Sequence, residues 1–306
     1  MFQGMHYVYE VYKEMSFSKA ARNLFISQPS LSAAVKKAEA QIGFPIFDRS
    51  SNHIQLTELG KEYIRSIEII MDVENGFQNY INDMKELKSG TIAIGGTNLF
   101  ASYVLPPLLS RFTEQYPQVQ VNLVEATTSQ LTDRLFSGSL DLLIDNKSMD
   151  PAIYQKSFFC EEHLLLAVPI RLSVNEKMKN YALTASDIRE NRHLNSRIPP
   201  VPLENFQEES FLLLKSGNDT RTRADRICHN AHVIPKIKLE LDQQITAYNL
   251  SRYGMGISFC SDTLVRHVPD DEGLVYYKLN HQDALREVNF YYKRNRYMPR
   301  IVSTFL

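Results

Sequence analysis

The chain has 306 residues and a formal net charge of −1, enough for two or three domains that each bury a core. The near-zero charge argues against a protein coated in basic residues for nonspecific nucleic-acid binding. No run of about 18 or more apolar residues occurs, and the N-terminus lacks a basic leader followed by an apolar segment, so we expect no membrane span and no secretion. Three scattered cysteines (Cys160, Cys228, Cys260) predict no disulfide framework, which is typical of a cytoplasmic protein.

Residues 1–57 predict a small helical domain with a hairpin wing. Apolar spacing predicts a first helix within residues 2–15 and a second within residues 18–24. Ser27 precedes Gln28 and Pro29 as an N-cap, and Gly43 follows residue 42 as a C-cap, so a third helix is expected between them. A wing follows, with strands at 45–49 and 54–56 and a turn at 50–53. These features predict a winged helix-turn-helix.

The exposed face of the third helix carries short polar and basic groups that suit a DNA groove. Gln28 can bond an adenine edge bidentately, whereas Lys36 and Lys37 are suited to phosphates. Residues 1–57 hold six Lys/Arg against four Asp/Glu, so the basic excess falls in this domain. Arg49 in the wing is the best further phosphate candidate, with a surface salt bridge to Asp48 or Glu39 as its alternative. The candidate DNA-binding residues are Ser27, Gln28, Pro29, Ser30, Ser32, Ala33, Lys36, Lys37 and Arg49.

One long helix is predicted over residues 57–88, with Thr57 as its cap. An apolar stripe recurs every three or four residues along it: Tyr63, Ile67, Ile70, Val73, Phe77, Tyr80, Met84 and Leu87. Such a stripe predicts a coiled-coil-like seam that joins two copies of the chain. The alternative is that the helix packs on the rest of its own chain.

From residue 91 the pattern changes to strands that alternate with helices, which predicts parallel α/β sheets. In the first set, strands are expected at 92–94, 119–123 and 140–144, with helices at 100–116 and 131–136 and a break or kink at Pro106-Pro107. A second set has strands at 164–168, 211–214, 237–241 and 257–260. Two later strands, at 274–279 and 287–293, are expected to return to the first set.

Four phrases carry a resemblance to a known family: SFSKAARNLFISQPSLS, AEAQIG, PIFDRS and LTELG, in this order. They resemble the LysR-type transcriptional regulators. The resemblance implies an α+β chain with a winged helix-turn-helix domain (1–57), a dimerising linker helix (58–90) and an effector-binding domain (91–306). That last domain would have two lobes similar to type 2 periplasmic binding proteins, lobe I at about 91–161 and 268–306 and lobe II at about 162–267. Many members have Arg where this chain has Ala33, and Gly-Arg where it has Asn52-His53.

The resemblance also implies partners: double-stranded promoter DNA, a small-molecule effector, and a second copy in a homodimer or homotetramer. In open α/β sheets, ligands gather at the carboxyl ends of strands. The candidates there are Thr97, Asn98, Thr127, Thr128, Asp145, Ser216 and Gln243. Thr97 and Thr128 correspond to positions where family members often hold an effector through a hydroxyl. Ordinary helix capping is the alternative for each hydroxyl. No Arg or Lys is evident at these strand ends, and a small polar or carboxylate-bearing metabolite is the expected ligand.

The sequence predicts neither an enzyme nor a metal or cofactor site, since no GxSxG, HExxH, Walker A or GxGxxG motif occurs. Cys160 and His163 lie three apart on a predicted strand and would point to opposite faces. A nucleoid-type architectural protein would be more basic. A solute-binding transport component would carry a signal peptide and no helix-turn-helix.

Overall fold

The computed structural model describes residues 2–48, 54–84, 90–269 and 272–306. Three helices come first: α1 (Met5–Glu14), α2 (Phe17–Asn23) and α3 (Gln28–Ile42). The bounds predicted for α3 are confirmed, and Gly43 ends it at a φ of 85°, a conformation that glycine adopts without steric cost. The three helices share one buried core through residues such as Val8, Ala20, Leu31 and Val35.

A short hairpin forms the wing. Strands β1 (Phe47–Asp48) and β2 (Gln55–Leu56) pair in antiparallel fashion, with Phe47 opposite Leu56. Residues 49–53 lie outside the described residues, and with them Arg49 and the predicted turn of the wing. Thr57 connects the wing to the next helix, because its hydroxyl donates to the Pro45 carbonyl (2.8 Å) and accepts from the Gly60 amide (2.9 Å).

The next helix, α4, spans Glu58–Met84, and its predicted cap at Thr57 is confirmed. Its apolar stripe is not one continuous seam. Tyr63 and Ile67 are buried in the core of α1–α3, whereas Val73 and Phe77 expose 68% and 65% of their surface. The first turns of α4 therefore belong to the N-terminal core. Leu87, the side chain of Met84 and the predicted helical end at 85–88 lie outside the described residues.

Lobe I is built on a parallel sheet that follows the linker. Strand β3 (Gly90–Gly96) pairs in parallel with β4 (Val119–Glu125) and with β5 (Leu142–Asp145). The helix predicted at 100–116 has no break at the prolines: a π-helical turn at Phe100–Val104 leads directly into α5 (Leu105–Gln115), whose first turn contains both prolines. Helix α6 (Thr128–Ser137) connects β4 to β5.

Lobe II repeats this plan. Strand β7 (Ser210–Leu214) pairs in parallel with β8 (Lys236–Leu241) and with β9 (Ile257–Ser261). Five helices lie around these strands: α7 (Val174–Lys177), α8 (Ala185–Arg189), α9 (Asp219–Asn230), α10 (Gln244–Arg252) and α11 (Asp262–His267). A buried core that includes Phe206, Phe211 and Phe259 holds the lobe together.

One long strand, β6 (Tyr154–Pro169), crosses both lobes, where the sequence predicted only its second part. Strand β11 (Leu285–Lys293) pairs with residues 154–163 of β6 and with β5, in lobe I. Strand β10 (Leu274–Lys278) pairs with residues 165–169 of β6, in lobe II. The prediction that both late strands return to lobe I is therefore wrong for β10, because the chain crosses back only after residue 278. Helix α12 (Arg300–Phe305) closes lobe I. Among the described helices, none is both long and apolar enough to span a membrane.

Candidate functional site

The N-terminal turns of α3 form an exposed polar surface. Ser27 caps the helix by accepting from the Ser30 amide (3.3 Å), and the two hydroxyls lie 2.7 Å apart. Leu31 and Val35 turn inward and are fully buried. The predicted DNA-binding residues on α3 and its cap (Ser27, Gln28, Pro29, Ser30, Ala33, Lys36 and Lys37) are exposed, and Ser32 is half-buried. The helix thus presents the surface that a major groove would receive.

Gln28 is held in place by the preceding helix. Its side-chain carbonyl oxygen accepts a hydrogen bond from the Ser18 hydroxyl at 2.9 Å. The oxygen keeps a second lone pair, so the bidentate contact with adenine that the sequence predicted does not require this bond to break. The amide nitrogen can still donate to a base edge without any rearrangement.

Lys36 and Lys37 lie more than two turns further along α3. Neither ammonium forms an ion pair with any residue of the described chain, so both are available to phosphate. Glu39, by contrast, points back to the wing and accepts from the amides of Ile46 (2.9 Å) and Phe47 (3.2 Å). A single Glu on a polar helix carries no sequence signal for this positioning role.

Gly60 permits the close approach of α4 to the wing. A β-carbon at this position would lie 2.1 Å from the carbonyl oxygen of Ile46. Only glycine fits so close to the backbone of Ile46. This contact packs α4 against the start of the wing.

A second candidate site is the cleft between the lobes. All seven residues predicted at strand ends line one cavity of about 380 Å³: Thr97, Asn98, Thr127, Thr128, Asp145, Ser216 and Gln243. The first five of these residues lie in lobe I, and Ser216 and Gln243 lie in lobe II. The carboxyl ends of β3, β4 and β5 meet those of β7 and β8 here, as the parallel topology requires.

The polar side chains in the cleft fall into two groups. Thr127 caps α6 in a reciprocal box with Gln130, so helix capping accounts for its hydroxyl. The Thr128 hydroxyl donates to Asp145 (2.8 Å), and the Asn98 amide donates to Glu125 (2.9 Å). In contrast, the side chains of Thr97, Ser216 and Gln243 form no hydrogen bond with the described residues. These three are free to bond a ligand.

Three cations also line the cleft, contrary to the expectation of none: Lys147, Lys215 and Arg286. Lys215 is paired with Asp242 at 2.9 Å. Lys147 is exposed and makes no ion pair with the described part of the chain. Lys147 was not predicted as a cleft residue, because it lies two residues beyond the end of β5 and not directly at the strand end.

Arg286 is buried at the floor of the cleft. It contacts Glu162 (2.6 Å) and Asp219 (3.0 Å), and also donates to the Thr220 hydroxyl (3.0 Å). Burial opposes its charge, but the two carboxylates outweigh burial and raise the pKa of the guanidinium. Asp145 nearby is buried as well, and burial raises the pKa of its carboxyl. Arg286 lies on β11 of lobe I, Asp219 lies on α9 of lobe II, and Glu162 lies on β6, which crosses both. The ion pairs of Arg286 therefore link the two lobes.

Comparison with known proteins identifies the two domains that carry these sites. Residues 2–61 match the model of the bacterial regulatory helix-turn-helix proteins of the lysR family, and residues 85–306 match the LysR substrate binding domain. A Bacillus subtilis relative, the "Uncharacterized HTH-type transcriptional regulator YcgK", is 28% identical over 99% of this chain and 91% of its own length.

Two solved structures share the fold over the whole of this chain. A full-length variant of OxyR from Pseudomonas aeruginosa has a TM-score of 0.73 at 21% identity, with 93% of its length covered. Full-length CbnR, solved with its target DNA, has a TM-score of 0.64 at 16% identity, with 97% of its length covered. With its helix-turn-helix, its linker helix and its two-lobed ligand-binding domain, the chain belongs to the LysR family of DNA-binding transcriptional regulators.

Proposed function

We propose that the protein is a sequence-specific regulator whose binding to promoter DNA is controlled by a small molecule in the cleft between its lobes. The observation that carries the proposal is the cavity of about 380 Å³, lined from both lobes by hydrogen-bonding side chains that the protein itself leaves unused. This volume is within the range of ordinary small-molecule sites. A ligand that contacts both lobes favours the arrangement that it binds best, and shifts the equilibrium by that difference in affinity alone.

We assign to the cleft a small polar metabolite with a carboxylate. Thr97, Ser216 and Gln243 supply hydrogen bonds to polar groups of the ligand, and the ammonium of Lys147 supplies the partner for its negative charge. Of the other charges in the lining, Lys215 is paired with Asp242 and Arg286 with Glu162 and Asp219, whereas the buried Asp145 accepts from the Thr128 hydroxyl and the Lys147 amide. A ligand with several negative charges would bring more charge than Lys147 can pair with, so a ligand with one carboxylate fits better.

The DNA contacts are assigned to α3 and the wing. Gln28, Pro29 and Ser32 read base edges in the major groove, whereas Lys36, Lys37 and Arg49 bind phosphates. Ser27, Ser30 and Ala33 complete the surface that enters the groove. Because promoter DNA is the partner, we place the regulator in the cytoplasm.

The linker helix supplies the dimer contact in this proposal. Val73 and Phe77 are large apolar residues, exposed one turn apart on α4, and a second copy of the helix would cover them. Two copies related by a two-fold axis present two α3 helices to two half-sites. The proposed units are residues 1–57 for DNA, 58–90 for dimerisation and 91–306 for the effector.

Selection of genomic fragments tests the DNA half of the proposal. Purified protein is incubated with sheared genomic DNA at near-physiological salt, and the bound fragments are sequenced. We expect enrichment of one or a few sites with imperfect two-fold symmetry. Binding without sequence preference would contradict the proposal and favour an architectural role.

A ligand screen tests the effector half. Thermal unfolding of the full-length protein is measured with a panel of hydroxy-, keto- and amino-carboxylic acids and with their methyl esters. We expect an acid to raise the unfolding temperature and its ester to do so less, because the ester removes the charge that pairs with Lys147. An ester as effective as its acid contradicts the assigned role of Lys147.

A further inference from the structure

Outside the cleft, two histidines and an aspartate converge on the other side of the lobe junction. His163 lies on β6, His193 on the 3-10 turn Arg192–Leu194, and Asp262 on the first turn of α11. One ligand atom from each lies within 4.8 Å of the others. Within the described residues this is the only such group of three or more His, Cys, Asp or Glu side chains.

Two of the three separations between these atoms are close to those in the coordination shell of a metal ion. The Nε2 atom of His193 lies 3.0 Å from Oδ2 of Asp262, and Nδ1 of His163 lies 3.6 Å from the same oxygen. Bonds of about 2.0–2.1 Å to a tetrahedral zinc ion place neighbouring ligand atoms roughly 3.4 Å apart. The group therefore needs little rearrangement to hold one ion.

The carboxylate is already oriented by the backbone. Its other oxygen, Oδ1 of Asp262, accepts from the His163 amide at 2.9 Å, which leaves Oδ2 facing both imidazoles. The Nδ1 atom of His163 is buried and has no hydrogen-bond partner in the described chain.

We propose that His163, His193 and Asp262 bind one divalent transition-metal ion of the zinc class. Two imidazoles and one carboxylate form a ligand set that zinc and its neighbours in the first transition row accept. A cavity of about 390 Å³, lined by His163 at the lobe junction, by Asp262 from lobe II and by Val104 and Leu108 from lobe I, gives the fourth position access to water. This metal site is separate from the effector cleft.

Arg266 competes with the ion for this position. Its guanidinium nitrogen Nη2 lies 3.4 Å from Oδ2 of Asp262 and 3.5 Å from Nε2 of His193. The same nitrogen also donates to the Asn191 side chain at 2.7 Å, and about a quarter of the Arg266 side chain is exposed. The guanidinium can therefore turn toward Asn191 and solvent when the ion binds. Two cations this close repel each other strongly, so removal of Arg266 is expected to tighten metal binding.

The test is a metal titration of the full-length protein after dialysis against EDTA. Added Co²⁺ is expected to produce the intense visible absorption of a four- or five-coordinate site, at one ion per chain, and Zn²⁺ is expected to abolish it. Zinc affinity is then measured by competition with a chromogenic chelator. His163→Gln should weaken zinc binding at least about tenfold, because it removes a direct ligand. Arg266→Met should strengthen zinc binding by roughly tenfold or more, because it removes a neighbouring positive charge.

His267→Gln is the matched control. This histidine lines the same cavity, but its Nδ1 donates to the Thr263 carbonyl at 2.7 Å, so its loss should leave affinity unchanged. His193→Gln is also expected to weaken binding. His193 is buried, so circular dichroism must first show that this variant is folded, whereas His163→Gln alters a side chain that is 30% exposed. The proposal is overturned if the unmodified protein binds no stoichiometric Co²⁺, if His163→Gln binds zinc as tightly as the parent, or if Arg266→Met binds no tighter.

Discussion

Asp72 on α4 and Arg296 beyond β11 form an ion pair, with 2.7 Å between Oδ1 and Nε. Lys293 lies 2.9 Å from the other oxygen of the same carboxylate, and Arg296 also contacts Asp141 of lobe I at 2.8 Å. The Asp72 side chain is buried between these groups. The contact attaches the linker helix to lobe I of the same chain.

Replacement of Asp72 by Ala should destabilise the docking of α4 by roughly 3 kcal/mol, because two cations lose their buried partner. Urea unfolding followed by circular dichroism measures this loss. Gly138→Ala should disrupt the same contact from lobe I, since a β-carbon there would lie 1.8 Å from Asp72 Oδ1. In the double variant the two losses should add only in part, because Asp72→Ala removes the two nearest clashing atoms but leaves the β-carbon of residue 72 at 2.5 Å and the φ of 80° at residue 138. Full additivity would show that Gly138 does not act through Asp72.

Gln28→Ala should cost about 1–3 kcal/mol of discrimination between the operator and a scrambled sequence, because the amide reads a base edge. Fluorescence anisotropy with the two DNA duplexes measures the ratio of affinities. Ser18→Ala is the matched change, since it removes the hydrogen bond to Gln28 but leaves the amide in place. We expect the serine variant to keep its discrimination. An unchanged ratio in Gln28→Ala would falsify the assignment of α3 as the recognition helix.

Val73→Glu together with Phe77→Glu should separate the proposed dimer. Both side chains expose more than 60% of their surface and have the spacing of a helical seam. Burial of four glutamates in a dimer would be costly, so we expect the dimer dissociation constant to rise by at least about a hundredfold. Light scattering across a concentration series measures it. Ile234→Glu controls for the loss of any exposed apolar residue, since Ile234 is 88% exposed in lobe II. Dimers of equal strength in the helix variant would rule out this seam.

Lys147→Gln and Thr97→Val should each weaken binding of the carboxylate ligand found in the thermal screen by at least about tenfold. The affinity for the operator without ligand should stay nearly unchanged. The direct measure is calorimetric titration of that acid. Thr127→Val is the control within the cleft, because the Thr127 hydroxyl is occupied by capping α6. It should reduce stability by about 1 kcal/mol rather than ligand affinity. If Thr127→Val lost ligand binding and Thr97→Val kept it, Thr127 rather than Thr97 would be the residue that binds the ligand.

The cysteines should react slowly with thiol reagents. Burial raises the pKa of Cys160 to about 11 and that of Cys228 to about 12, and it raises the pKa of Cys260 as well. The thiolate is the reactive form, so at pH 8 only about one Cys160 thiol in a thousand is available. The rate of Cys160 labelling by DTNB in the folded protein should rise about tenfold per pH unit and show no plateau below pH 10. Cys160→Ser should remove the fastest phase. Rapid labelling at neutral pH would indicate an activated thiol.

Much of the candidate site was accessible from local pattern. Strand ends at Thr97, Thr127 and Asp145 could be located because each follows an apolar run, and parallel strands bring such ends to one edge. The α3 helix was located because Ser27 and Gly43 mark its two ends. Neither inference needs knowledge of distant contacts.

Other features depend on pairings between distant segments. Lys147 and Arg286 carry no local signal of a cleft, and Arg286 reaches it only because β11 pairs with β6. The assignment of β10 to lobe I was wrong for the same reason, since a short apolar strand does not specify its neighbour. His163, His193 and Asp262 are up to 99 positions apart, so the spacing of residue types did not indicate a metal site.

The sequence by itself determined the order of the elements, the ends of the recognition helix and the strand termini that line the cleft. These depend on capping groups and on apolar periodicity, which act over a few residues. The tertiary structure alone decided which half of the α4 stripe is buried, which hydroxyls remain unused, and which charges are paired. Burial and charge pairing depend on groups brought together from distant parts of the chain, and no local spacing encodes them.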